Sequence, residues 1–144
     1  MRYASYLTIP LLLLSALGCG RGGHHAVAPV SGRVTLNNRP LAHAEVRFYP
    51  AGNEKGTGPV YSHAKTDAQG LFTLRTFLAD HEVAGGLVGD NRVEISLNER
   101  DLEKPSLKAA PRELVPAQYN RLSRLHCEVP PDGKADADFG LKGR

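Results

Sequence analysis

The stretch Arg92-Val93-Glu94-Ile95-Ser96-Leu97 alternates polar and apolar residues without a break. Side chains of an extended chain point to opposite faces in turn, so this period puts Val93, Ile95 and Leu97 on one side of a strand and Arg92, Glu94 and Ser96 on the other. The same rhythm recurs through the chain. Ala44-Glu45-Val46-Arg47-Phe48-Tyr49-Pro50 turns Ala44, Val46 and Phe48 inward and Glu45, Arg47 and Tyr49 outward, and stops at Pro50. Arg33-Val34-Thr35-Leu36 ends in the turn formers Asn37-Asn38-Arg39-Pro40. Residues 60–65 form a third strand, and Thr66-Asp67-Ala68-Gln69-Gly70 turns into a fourth over 71–75, with Phe72 and Leu74 inward. Two last strands cover 125–129 and 135–141, joined by Pro130-Pro131-Asp132-Gly133-Lys134. Residues 51–59 and 79–90 read as glycine-containing loops. Residues 98–124, broken by Pro105, Pro111 and Pro116, read as a long crossover with one helical turn around Pro116-Ala117-Gln118-Tyr119.

About seven half-buried strands, with no helix long enough to cover a sheet, predict an all-β domain in which two sheets bury each other's inner faces. Composition agrees with one such domain. The chain has 144 residues, 41% of them hydrophobic and 23% charged, which suits a globular protein and excludes a disordered chain or a polytopic membrane protein. Fifteen glycines and ten prolines favour many short elements. The net charge of +3 comes from scattered residues, so no basic run marks a nucleic-acid partner.

The first residues read as an address. Met1-Arg2 gives a positive start, and the largely apolar stretch 7–17 has the length of a signal-peptide core and is too short to span a bilayer. Ala16-Leu17-Gly18-Cys19 follows, and this resembles a bacterial lipobox. The resemblance implies cleavage between Gly18 and Cys19 and diacylglycerol, with its fatty acyl chains, on the Cys19 thiol. Residues 1–18 are then a signal peptide, 19–29 a flexible tether and 30–144 the folded domain. Two or more acyl chains hold a protein stably where one does not. The expected location is therefore the cell envelope, lipid-anchored to a membrane. Gly20 after the cysteine, where an inner-membrane retention signal would have Asp, favours the outer membrane. With Cys19 acylated, Cys127 is left without a cysteine partner, so no internal disulfide is expected.

Val30-Ser31-Gly32-Arg33-Val34, continuing through Pro40-Leu41-Ala42-His43-Ala44-Glu45-Val46, resembles the opening of carboxypeptidase regulatory-like domains, with Asn38 where a glycine often stands. Thr66-Asp67-Ala68-Gln69-Gly70-Leu71-Phe72-Thr73-Leu74 is similar to a second motif of that family. Val115-Pro116-Ala117-Gln118-Tyr119 and Asp138-Phe139-Gly140-Leu141 resemble small bacterial lipoproteins built on it. Over residues 30–141 the resemblance implies an Ig-like or transthyretin-like (prealbumin-like) β-sandwich. It also implies a non-catalytic accessory, binding or structural module. The expected partner is an envelope protein or a glycan, and no cofactor is expected.

Several residues invite chemistry. His24 and His25 are adjacent imidazoles without further ligands and read as solvated linker residues. His81-Glu82 lacks the second histidine of a zinc-peptidase motif. Asp132, Asp136 and Asp138 offer oxygens for calcium, but their order differs from that of a calcium loop, so they read as an outward, solvated face. Cys127 falls on an inward position and reads as core. Hydroxyisourate hydrolases share the transthyretin-like fold and use a C-terminal Tyr-Arg-Gly-Ser, which Phe139-Gly140-Leu141-Lys142-Gly143-Arg144 does not contain. An enzyme would need two or more of His43, His63, His81 and His126 brought together with Arg or Asp. A ligand-binding module would use Tyr49, Tyr61 and Phe77 as an aromatic surface, in a chain with no tryptophan.

Overall fold

The computed structural model describes residues 25–52, 60–78, 81–98 and 112–143. Gly18, Cys19, His24 and the whole 1–18 leader lie outside the described residues, as do residues 99–111 of the crossover. Twelve strands are present among the described residues: β1 Val27–Ala28, β2 Ser31–Leu36, β3 Arg39–Pro40, β4 Glu45–Pro50, β5 Tyr61–Lys65, β6 Leu71–Thr73, β7 Arg75–Leu78, β8 His81–Ala84, β9 Gly86–Leu87, β10 Gly89–Ser96, β11 Leu125–Val129 and β12 Phe139–Leu141. A single turn of 3-10 helix, Ala117–Tyr119, lies where the sequence predicts one.

The large sheet has the order β11-β10-β4-β5-β7-β8, antiparallel throughout. A second sheet runs β12-β2-β3, with β6 also paired to β2, and β1 pairs with β9. The protein is all-β, with the architecture of a sandwich. Val46, Phe48, Val93 and Ile95 from the large sheet and Val34, Phe72 and Leu141 from the second sheet share one hydrophobic core. Phe48 meets Phe139 edge-on at 6.0 Å, and Phe139 stacks on Phe72 at 6.3 Å, so aromatic contacts join the sheets.

Local chemistry explains the turns. Asn37 and Asn38 both have positive φ (52° and 63°), and asparagine tolerates this left-handed conformation, which the short β2–β3 hairpin requires. Asp67 Oδ1 accepts the amides of Gln69 and Leu71 at 2.8 and 2.9 Å and so closes the turn before β6. Gly32 packs where a Cβ would overlap the Ala137 carbonyl.

Three expectations are corrected. Residues 71–75 are not one strand. The chain leaves β2 after Thr73 and joins β5 from Arg75, and Leu74 forms the crossing, donating its amide to Val30 O and accepting from Gly85 N. Residues 79–90, expected as a loop, contain β8, β9 and the start of β10. There Ser62 Oγ, Thr76 Oγ1 and Asn91 Nδ2 bond the backbone of Leu87, Gly85 and Gly89, so buried polar side chains fasten a stretch that has no alternating apolar pattern. The strand expected over 135–141 is confined to Phe139–Leu141, because the Asp138 amide turns back to Asp136 O at 2.8 Å and the Arg33 amide goes to the Asp138 side chain at 2.8 Å instead of to a backbone carbonyl. In addition, Val27 and Ala28, within the stretch expected as tether, pair with β9, and Ala28 is buried.

Candidate functional site

The solvent side of the large sheet is set by register. Arg92 lies opposite His126 and Tyr49, Tyr61 opposite Phe77, and Phe77 opposite Glu82. The pairing Phe48↔Ser62 puts Tyr49 beside Tyr61. One row across six strands therefore reads His126, Arg92, Tyr49, Tyr61, Phe77, Glu82. The three aromatic residues named from sequence are brought together here, with ring centroids 6.0 Å apart for Tyr49 and Tyr61 and 6.3 Å for Tyr61 and Phe77. Phe77 is 37% exposed and Tyr49 only 6%, so Phe77 and Tyr61 meet solvent while Tyr49 supports them from within the row. Burial is the main cause that pushes the Tyr49 phenol above its ordinary range, so it stays neutral near pH 7.

The next row is charged. Glu94 lies opposite Arg47, Arg47 opposite His63, and His63 opposite Arg75. Arg47 closes a fork on Glu45 Oε1 (2.9 and 2.7 Å), and Arg92 Nη1 donates to Glu94 Oε1 at 2.6 Å. Glu82 receives Arg75 Nε at 2.9 Å and His63 Nε2 at 2.8 Å, and these bonds, that of Arg75 first, hold its carboxyl below the usual range. Arg92 also lies over the Tyr49 ring, 5.1 Å from its centroid, and so joins the aromatic row to the charged one.

An open cleft of about 690 Å³ borders these rows, lined by Arg47, Arg92, Glu94, Ser96, Glu113, Asn120 and Arg121. No pattern in the sequence points to it. Its residues come from β4, β10 and the described end of the crossover, and Arg47 and Arg92 are each paired with a glutamate two residues away.

The other candidates are dispersed. His43 and His63 line one small cleft with Glu45, Ala64 and Lys65, with neither Arg nor Asp in its lining. His81 and His126 sit on β8 and β11, the two opposite edges of the sheet, and His126 pairs with Asp90 at 3.2 Å. Asp132, Asp136 and Asp138 are all exposed, as a solvated face requires; Asp136 pairs with Lys134 at 2.9 Å, and Asp138 accepts the Arg33 amide at 2.8 Å. Among the described residues no group of three His, Cys, Asp or Glu could hold a metal ion, and no helix is long and apolar enough to cross a membrane. Cys127 is buried in the core, and desolvation raises its thiol pKa. In a Cys19→Ala chain, where Cys127 is the one thiol left, iodoacetamide at pH 8 is expected to label it slowly until denaturant is added. Rapid labelling of the folded protein would contradict this burial.

No family model, curated protein or solved structure matches the chain.

Proposed function

We propose that the chain is a lipid-anchored, extracytoplasmic binding module of the bacterial cell envelope. In this reading it is a non-enzymatic transthyretin-like sandwich, of the carboxypeptidase regulatory-like kind, that presents the outer face of its large sheet. The observation that carries the reading is the row Tyr49, Tyr61 and Phe77 on three adjacent strands, with Arg92 stacked at its end. Aromatic and arginine side chains supply most contact energy at binding surfaces. Anchoring rests on Cys19 directly after the apolar 7–17 stretch. Rings about one sugar width apart, edged by oriented Arg–Glu pairs, also favour a glycan or small-molecule ligand, because such a face combines stacking with hydrogen bonding.

The test is affinity capture of the tagged full chain from gently solubilised membranes, with the N-terminus sequenced by mass spectrometry. Wild type is expected in the membrane fraction, cut before Cys19, and Cys19→Ala in the soluble fraction. Truncating Tyr61 and Phe77 together to alanine is expected to weaken capture of the bound partner by roughly tenfold or more, at over ~1 kcal/mol each. A cut Cys19→Ala protein that stays on membranes would refute the anchor. Unchanged capture by the double variant would refute the face.

A further inference from the structure

The cleft beside the aromatic row holds uncommitted donors and acceptors side by side. Three guanidiniums, Arg47, Arg92 and Arg121, face two carboxylates, Glu94 and Glu113. Arg47 is held by Glu45 and one arm of Arg92 by Glu94. Arg92 Nε is buried without a hydrogen-bond partner, and the Arg121 side chain makes no ion pair among the described residues. The cleft thus offers a charged donor group with nothing to receive it. The two carboxylates are each committed through Oε1, Glu94 to Arg92 and Glu113 to the amides of Leu97 and Val115 at 2.9 and 2.8 Å. Their other oxygens remain as acceptors for hydroxyl groups.

A simple anion would satisfy Arg121 and leave those acceptors unused, and a neutral sugar would do the reverse. A ring carrying both hydroxyls and a carboxylate matches both. From these donors and acceptors we infer that the cleft binds a carboxylate-bearing sugar, with the neighbouring units of the glycan stacked along Tyr61 and Phe77. The cleft volume lies in the range of small-ligand sites, and Arg92, which lines it and covers Tyr49, makes cleft and row one surface. Arg121 binds the carboxylate, Glu94 and Glu113 receive ring hydroxyls, and Ser96 and Asn120 complete the polar lining. This assignment rests on the outer face being the binding surface, as proposed above.

The experiment is calorimetric titration of the full chain, in detergent, with a galacturonate oligosaccharide, its carboxyl-reduced neutral counterpart, acetate, and an acidic peptide of equal charge. The acidic sugar is expected to bind at least tenfold more tightly than the neutral one, the difference of one charged hydrogen-bond set. Arg121→Gln is expected to remove about that factor for the acidic sugar only, and Arg121→Lys to restore part of it. Equal binding of both sugars, lost on truncating Tyr61 and Phe77, would overturn the carboxylate while the face stands. Binding of acetate or the acidic peptide as tight as that of the acidic sugar would overturn the sugar ring. If no sugar binds while a protein partner is captured through Tyr61 and Phe77, the assignment fails alone. If that capture fails as well, both readings fall.

Discussion

Replacing Gly32 with alanine is expected to destabilise the protein by about 3 kcal/mol or more, a large part of the roughly 5–15 kcal/mol that holds a domain of this size together. Gly32 is buried in β2, and a Cβ there would sit inside contact distance of the Ala137 oxygen, carbonyl carbon and Cα. The obstacle is backbone, with no side-chain rotamer to move aside. The neighbouring chain is fixed by Ala137 N donating to Ser31 O at 3.1 Å and Arg33 N donating to Asp138 Oδ1. Relief therefore requires β2 and the segment leading to β12 to separate, which breaks these bonds together. Urea unfolding should show a lower midpoint with an unchanged slope. A midpoint within experimental error of wild type would mean that the two segments are not held this closely.

Phe48→Ala is expected to cost about 3–5 kcal/mol, the usual range for emptying a buried phenylalanine site. Phe48 is fully buried on β4, the central partner of both β10 and β5, and its ring meets Phe139 of the opposite sheet. Losing it removes the transfer energy of the ring and leaves Phe139 and Phe72 without their third member. The neighbours are strand residues whose backbone is locked in ladders, so the hole closes poorly. Denaturant titration gives the number directly. A loss under about 1.5 kcal/mol would show that the two sheets collapse onto the vacated space.

Phe48 belongs to a set of residues whose burial is legible in the alternation of the chain. Val93, Ile95 and Leu97 are buried and Arg92, Glu94 and Ser96 half-buried, as that alternation requires, and Val46 and Phe48 follow the same rule. Where the sequence misleads, the reason is specific. Phe72, Leu74 and Thr76 are all buried at period two, so the pattern runs unbroken through the place where the chain changes sheets. Periodicity records which face is buried and carries no information about the partner strand. Residues 81–84 give no strand signal because an exposed edge strand needs no apolar face, and none of the four is buried.

The aromatic row is legible as residues and not as a row. Tyr49, Tyr61 and Phe77 are 12 and 16 positions apart, and their neighbourhood exists only through strand register. The cleft is less legible still. Arg121 is 74 positions from Arg47 and lies in a segment with no periodicity, where one more arginine carries no signal.

The parallel pairing of β2 with β12 joins residues about a hundred positions apart, as the Phe139↔Val34 register shows. A chain made from its N-terminus forward must therefore hold β2 with one flank open until almost the whole domain has been synthesised. Hairpins such as β2–β3 can form early, but closure of that flank depends on the last strand to arrive. Folding of this kind is slow, because a large loop is closed before its contacts repay the lost freedom. The unsealed flank is meanwhile a template for strands from other chains, and the period before β12 docks is when the protein is most exposed to aggregation.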